Sequence, residues 1–386
     1  MPELVNADAF GPLCVPVPSA QFIGLLLRAG FSAEAYRAAW GDLSARDFSA
    51  THIVWQYFRH GLGERRHAPL TLDRDALIEL ARLPLNEAGF KAKLLSELAG
   101  HMFDGVGHPF GGALMERWPT IRALIGEAAR PYIIAGDSHS HLFNLTGARG
   151  SEWLLPIHLL CTGGSAAGLA NPVSRSGYGG HLRQAVQAME ALPGAEEVPF
   201  LLQFGQVDIE FVYHFRRARD GRRALDLEDY RTFCGAALEQ YIGFVTGLFP
   251  LGRRHRVFLI SVFPPALSDA AWHQGYINAD IVQREAFGSP ESVAAGIRDL
   301  EIANLAQRTQ IHAGYNSLLW DACQRHGFRF IDAFTAFLGP EGVVHRRYVS
   351  PEAGGAEHHL NSRMTYDIVA ERVWQCIDAA GGQCSR

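Results

Sequence analysis

From Pro131 onward the chain alternates short, almost wholly apolar runs with longer stretches whose apolar residues recur at helical spacing. The runs at 131–136, 153–161, 198–204, 255–262 and 328–332 read as strands, since unbroken apolar stretches of this length suit strands buried on both faces. Helices are expected near 141–147, 178–192, 226–248, 297–326 and 362–379. Five strands separated by helices imply an α/β fold, a doubly wound parallel sheet. The stretch 264–299 is long for a connection and has room for a short helix. After a strand, such a length often serves as a lid or specificity loop.

Residues 1–130 follow a different pattern, helical and without convincing strands. Ser32-Ala33-Glu34-Ala35 opens an Ala-rich helix, with Phe31 placed to act as a hydrophobic staple. Residues 72–80, 88–102 and 118–129 space their apolar positions as helix faces, whereas 103–112, with four Gly and a Pro, reads as a loop. The division expected is a helical region over 1–130, of unknown role, and an α/β domain over 131–386. Covering a sheet edge, shaping a cleft and forming a homo-oligomer contact are the roles open to the first part.

Composition narrows the class. The 386 residues are 48% hydrophobic and 19% charged, ordinary globular usage. A net charge of −5 offers no nucleic-acid or anionic-membrane footprint. Arg216, Arg217, Arg219, Arg222 and Arg223 read as a solvated loop rather than a phosphate site. No apolar stretch reaches membrane-spanning length and no signal-peptide pattern opens the chain, so a cytoplasmic protein without a membrane span is expected. The six Cys show no close pairing and read as reduced thiols.

The chemistry concentrates where the first strand ends, at Gly136-Asp137-Ser138-His139-Ser140. A Gly permits a tight turn there, and the carboxyl ends of strands in an open α/β sheet are where ligands bind. An Asp-Ser helix cap is the alternative on this pentapeptide alone. The chain continues with Cys161-Thr162-Gly163-Gly164-Ser165, then Phe204-Gly205-Gln206-Val207-Asp208, then Glu357-His358-His359-Leu360-Asn361. This order resembles the SGNH (GDSL-type) hydrolase superfamily over about residues 130–378. More narrowly, it is similar to a bacterial branch written GDSH…FGEVD, seen near polysaccharide genes.

The resemblance implies a flavodoxin-like strand order and a serine esterase or O-acyltransferase. Its substrate would be a small-molecule or carbohydrate ester, with no cofactor and no metal. Ser138 would be the nucleophile and His359, which precedes Leu360, the general base; His358 is the alternative base. Gly164 would donate to the oxyanion. Asp137, Asp208 and His139 would shape the site, and Phe263-Pro264-Pro265 would border the cleft.

Two departures stand out. The superfamily's Asp, three residues before the His, is Ala356 here, which leaves Glu357, Glu352 or a backbone carbonyl to orient the imidazole. The superfamily's oxyanion Asn is Val207, as in the narrower branch, with Gln206 or Asn171 as candidate substitutes. These departures keep open a non-catalytic protein that binds a glycan or a partner. A metal-dependent phosphoesterase using Asp137, His139, His141, His358 and His359 is the third class, weakened by the lack of Gly-Asn-His and Gly-Asp-x-x-Asp elements.

Overall fold

A computed structural model describes residues 20–57 and 129–381, apart from short gaps at 29, 46, 146–147, 150–151, 192–193, 195–196, 279–280, 283–288 and 350–356. The helices expected at 72–80 and 88–102, the loop at 103–112 and most of 118–129 lie outside the described residues. Ala129 itself opens a strand.

Among the described residues the sheet has six strands: β1 (Ala129–Gly136), β2 (Ala148–Arg149), β3 (Glu152–Leu160), β4 (Phe200–Gln203), β5 (Val257–Ile260) and β6 (Arg329–Ile331). Their spatial order is β2-β3-β1-β4-β5-β6. Five strands run parallel, in the flavodoxin-like order expected. The sixth, β2, adds an antiparallel edge that pairs Ala148 with Trp153 and Arg149 with Glu152. Two residues are too few to leave a periodic signal, which is why the sequence reading omitted it.

Burial alone does not fix the register of the centre. Tyr132, Ile133, Ile134 and Ala135 are fully buried, and every residue of β4 and β5 is buried too. Such strands have helices on both faces, so a register slip would bury no polar side chain and expose no apolar one. Pairing instead follows the backbone ladder, Ile133 to Phe200 and Phe200 to Val257. Because β1 lies between β3 and β4, the crossovers leave it in opposite directions, and a crevice opens beyond its carboxyl end.

The helices depart from expectation in four places: that expected near 141–147 is a 3-10 helix at Ser138–Phe143, and the helix Ala166–Ala170 is an addition. The span 297–326 is two helices, Pro290–Arg298 and Leu305–His326. Asn304 and Gln307 form a capping box that starts the second. After β4 an unforeseen π-turn, Asp208–Val212, runs into a helix at Tyr213–Arg219. The connection after β5 holds helix Asp269–His273 ahead of Pro290–Arg298. The arginine segment is not simply solvated: Arg217 is 1% exposed and donates to the carbonyls of Arg223, Ala224 and Glu301.

The described residues divide into two compact units, one within 20–57, 129–130 and 148–155, the other within 131–145 and 156–381. In the first, Ser32 caps the helix Ala33–Ala39 and Phe31 packs on Tyr36, ring centroids 5.8 Å apart, as a staple should. The second carries the Gly-Asp-Ser segment and everything around it. Among the described residues no helix is long and apolar enough to cross a membrane, and Cys161, Cys234, Cys323 and Cys376 are buried free thiols.

Candidate active site

Beyond Gly136 the chain turns at once into a 3-10 helix, Ser138–Phe143. The turn needs glycine: a Cβ at 136 would strike the Gln203 carbonyl and the Ser140 side chain. Asp137 caps this helix, its Oδ1 accepting the His139 N–H at 2.8 Å. Ser140, buried below, donates its hydroxyl to the Asp137 carbonyl at 2.6 Å and meets His158 Nε2 at 2.8 Å. Ser138 is thereby lifted to the rim with its N–H as the first of the helix, a position with no intrahelical acceptor.

The segment Glu357–Leu360 arrives at the same rim. His359 Nε2 lies 2.8 Å from Ser138 Oγ, across 221 residues of chain. The other ring nitrogen, Nδ1, lies 2.7 Å from Glu357 Oε1, which also accepts the His359 backbone N–H at 2.9 Å. The carboxylate that meets the ring therefore comes from two residues before His359, where the superfamily uses three. A backbone N–H and a ring N–H on one oxygen fix both the tautomer and the ring plane. The hydrogen bond from His359 holds the Glu357 carboxyl down to about 2, so it is ionised across the working range. With Nδ1 protonated, Nε2 keeps its lone pair towards the Ser138 hydroxyl.

His358 bonds elsewhere. It is buried, with Nδ1 2.6 Å from the Tyr276 hydroxyl. Burial, then the neighbouring His359 and His139, push its pKa down to about 2, so it stays neutral. As an alternative base it is set aside, because the imidazole at Ser138 Oγ is that of His359. His139 is also buried, Nδ1 2.8 Å from Asp137 Oδ1. Burial lowers its pKa and raises that of Asp137 to about 7. The two form a hydrogen-bonded pair of low charge rather than a strong ion pair, for a neutral imidazole gives a buried carboxyl little relief.

Three expectations about donors are corrected. The N–H of Gly164 donates to the Cys161 carbonyl at 2.7 Å, within its own turn, so this residue shapes the loop instead of presenting a free donor. Glycine is needed there because a Cβ would come within 2.7 Å of that same carbonyl. Gln206 is a strut: its Oε1 accepts the Phe263 N–H at 2.8 Å and its Nε2 donates to Glu210 at 2.9 Å. Asn171 accepts the Val173 N–H in an exposed turn. Asp208 serves a neighbouring loop, capping helix Ala166–Ala170 from outside. Phe263 is buried, its ring centroid 6.3 Å from that of His139, and backs the site as an apolar wall.

No family model matches the chain, and no curated protein does. Among solved structures it is similar to a GDSL-like lipase from Bacteroides thetaiotaomicron, at 12% identity over 70% of this chain and 99% of that one, TM-score 0.29. It is also similar to an extracellular lipase from Streptomyces rimosus, at 13% identity over 64% of this chain and 99% of that one, TM-score 0.34. At such identities the chemistry has to come from the side chains of this chain.

Of the residues weighed as metal ligands, His139, His358 and His359 do converge, while Asp137 stands behind His139. His141 turns towards His158, ring centroids 4.9 Å apart. Sequence reasoning missed Tyr276, Ser140, His158 and Glu210. Tyr276 comes from the long connection, whose length was its only signal. Glu210 is 1% exposed, and burial raises its pKa to about 7.

Proposed function

We propose that this chain is a serine ester hydrolase or O-acyltransferase working through an acyl-enzyme on Ser138, with His359 as general base and Glu357 as the orienting carboxylate. The observation that carries the reading is the unbroken line from Glu357 Oε1 through His359 to Ser138 Oγ, at 2.7 and 2.8 Å. Groups so distant in sequence rarely fall into hydrogen-bond register at a sheet's ligand crevice without a shared task.

The course follows from the tautomer. Ser138 Oγ attacks the ester carbonyl carbon as its proton passes to His359 Nε2, and Glu357 offsets the charge of the imidazolium. The Ser138 N–H faces the developing oxyanion. Collapse breaks the bond to the leaving alkoxide, which takes the proton back from Nε2. A second hydroxyl, of water or of an acceptor sugar, then repeats the sequence on the acyl-enzyme and restores Ser138. Hydrolase and transferase use the same groups and differ in how far water is excluded.

Carbohydrate esters are the proposed substrate class, resting on the resemblance to the polysaccharide-associated branch. The test is hydrolysis of an aryl acetate and of an O-acetylated sugar by the purified chain, with Ser138→Ala and His359→Gln as comparisons. The reading requires activity on at least one of them, abolished in both variants. Equal release by wild type and Ser138→Ala would overturn it.

A further inference from the structure

We propose that His139, His358 and His359 form a binding site for a divalent transition ion of the zinc type, and that the bound ion holds the reaction centre idle. The second half rests on the reading of Ser138 and His359 as nucleophile and base; the first half does not.

One ring nitrogen from each of the three residues lies within 4.8 Å of the other two. In each ring Nδ1 already has a partner that can accept its proton: Asp137 Oδ1 for His139, the Tyr276 hydroxyl for His358, Glu357 Oε1 for His359. That is how metal-binding histidines are held, the outer hydrogen bond fixing the tautomer and leaving Nε2 as the ligand. The Nε2 atoms of His139 and His358 are buried and have no hydrogen-bond partner. Unmatched lone pairs in a buried wall are otherwise unfavourable. An ion uses both, and the ionised Glu357 carboxylate behind His359 offsets part of its charge.

Tetrahedral zinc wants ligand nitrogens about 3.3 Å apart, from bonds of about 2.0 Å. The rings must therefore close by up to about 1.5 Å. His359 is the least enclosed of the three, its side chain 34% exposed against 1% for that of His139 and 7% for that of His358. Its Nε2 cannot hold an ion and accept the Ser138 proton at once. Occupancy thus removes the base, and the open fourth position lies beside Ser138 Oγ.

The test uses the full chain, stripped with a chelator and dialysed, then titrated with zinc chloride by calorimetry and with cobalt chloride by visible absorption. We expect one ion per chain and the intense visible bands of four-coordinate cobalt. Binding should weaken at least about tenfold in His358→Gln. Tyr276→Phe, which keeps all three rings, should weaken it about tenfold through loss of the outer hydrogen bond. Ser138→Ala should bind as wild type does. Failure of the stripped wild type to bind either ion, or binding as tight as the wild type's in both His358→Gln and Tyr276→Phe, overturns the site. Zinc should also stop aryl acetate hydrolysis, with full recovery on chelation; an ion-loaded chain that hydrolyses at the stripped rate overturns the idling. A chain that binds cobalt as described but hydrolyses nothing even when stripped contradicts the esterase reading and leaves the ion site standing.

Discussion

The carboxylate of Asp208 caps a helix that begins some forty residues earlier: Oδ2 accepts the Ala166 N–H at 2.5 Å and Oδ1 that of Ala167 at 3.2 Å. One buried side chain thus ties the loop after β4 to the turn that follows β3, on either side of Ser138. Replacing it should be expensive. Asp208→Ala leaves one buried and one partly buried N–H unmatched and should lower stability by roughly 2–4 kcal/mol. Asp208→Asn keeps an acceptor and should lose less. Urea denaturation of the three proteins decides; equal midpoints would show the cap to be incidental.

Glu357 makes no contact with substrate in the proposed course and acts through His359. Glu357→Gln should lower kcat/KM for an aryl acetate by about 10²–10⁴, less than Ser138→Ala, and mostly through kcat. Glu357→Asp, which restores the charge on a shorter arm, should recover part of that loss. A purely structural Glu357 would give similar rates for the Gln and Asp variants.

Glu210 makes stability depend on pH with a definite sign. Burial raises its pKa from 4.5 to about 7 in the folded chain. Between those values the folded state holds a proton that the unfolded state has released, so stability falls as pH rises through this window. The same sign holds for Asp137, raised from 3.8 to about 7 by burial. Glu210→Gln should be more stable than wild type by roughly 1–3 kcal/mol above neutrality. Below the unfolded-state pKa the two should converge. Unfolding midpoints measured across this range would refute the account if the variant were uniformly less stable.

Gly136 sits where the strand must turn beneath Ser140. Gly136→Ala would drive its Cβ into the Gln203 carbonyl, and a backbone atom cannot step aside as a flexible side chain can. A loss above about 2 kcal/mol is expected, together with loss of ester hydrolysis. Full activity at wild-type stability would mean the turn is looser than drawn.

Much of this was readable from the sequence because it lies in strands. β1, β4 and β5 are buried on both faces, so their apolar runs carry the whole signal, and Gly136 and Gly205 mark where they stop. Ser138 and His359 were legible through order along the chain and the resemblance it carries. Glu357 was a candidate because it was the nearest carboxylate upstream. Other features were hidden for physical reasons. The segment Asp208–Arg219 turns Glu210, His214 and Arg217 inward, and buried polar residues erase the amphipathic pattern by which a helix is recognised. Gly164 was misread because sequence shows a glycine's freedom but not where its N–H is spent. Tyr276 meets His358 across 82 residues, a pairing with no local signature.

The central claim is that Ser138 is a nucleophile activated by His359. Treating the chelator-stripped chain with a fluorophosphonate and mapping the adduct by peptide mass spectrometry tests it most directly. We predict a single stoichiometric phosphonyl group on Ser138, absent from Ser138→Ala and greatly slowed in His359→Gln. A folded wild-type chain that takes up no label, or takes it up on another hydroxyl, would contradict the account.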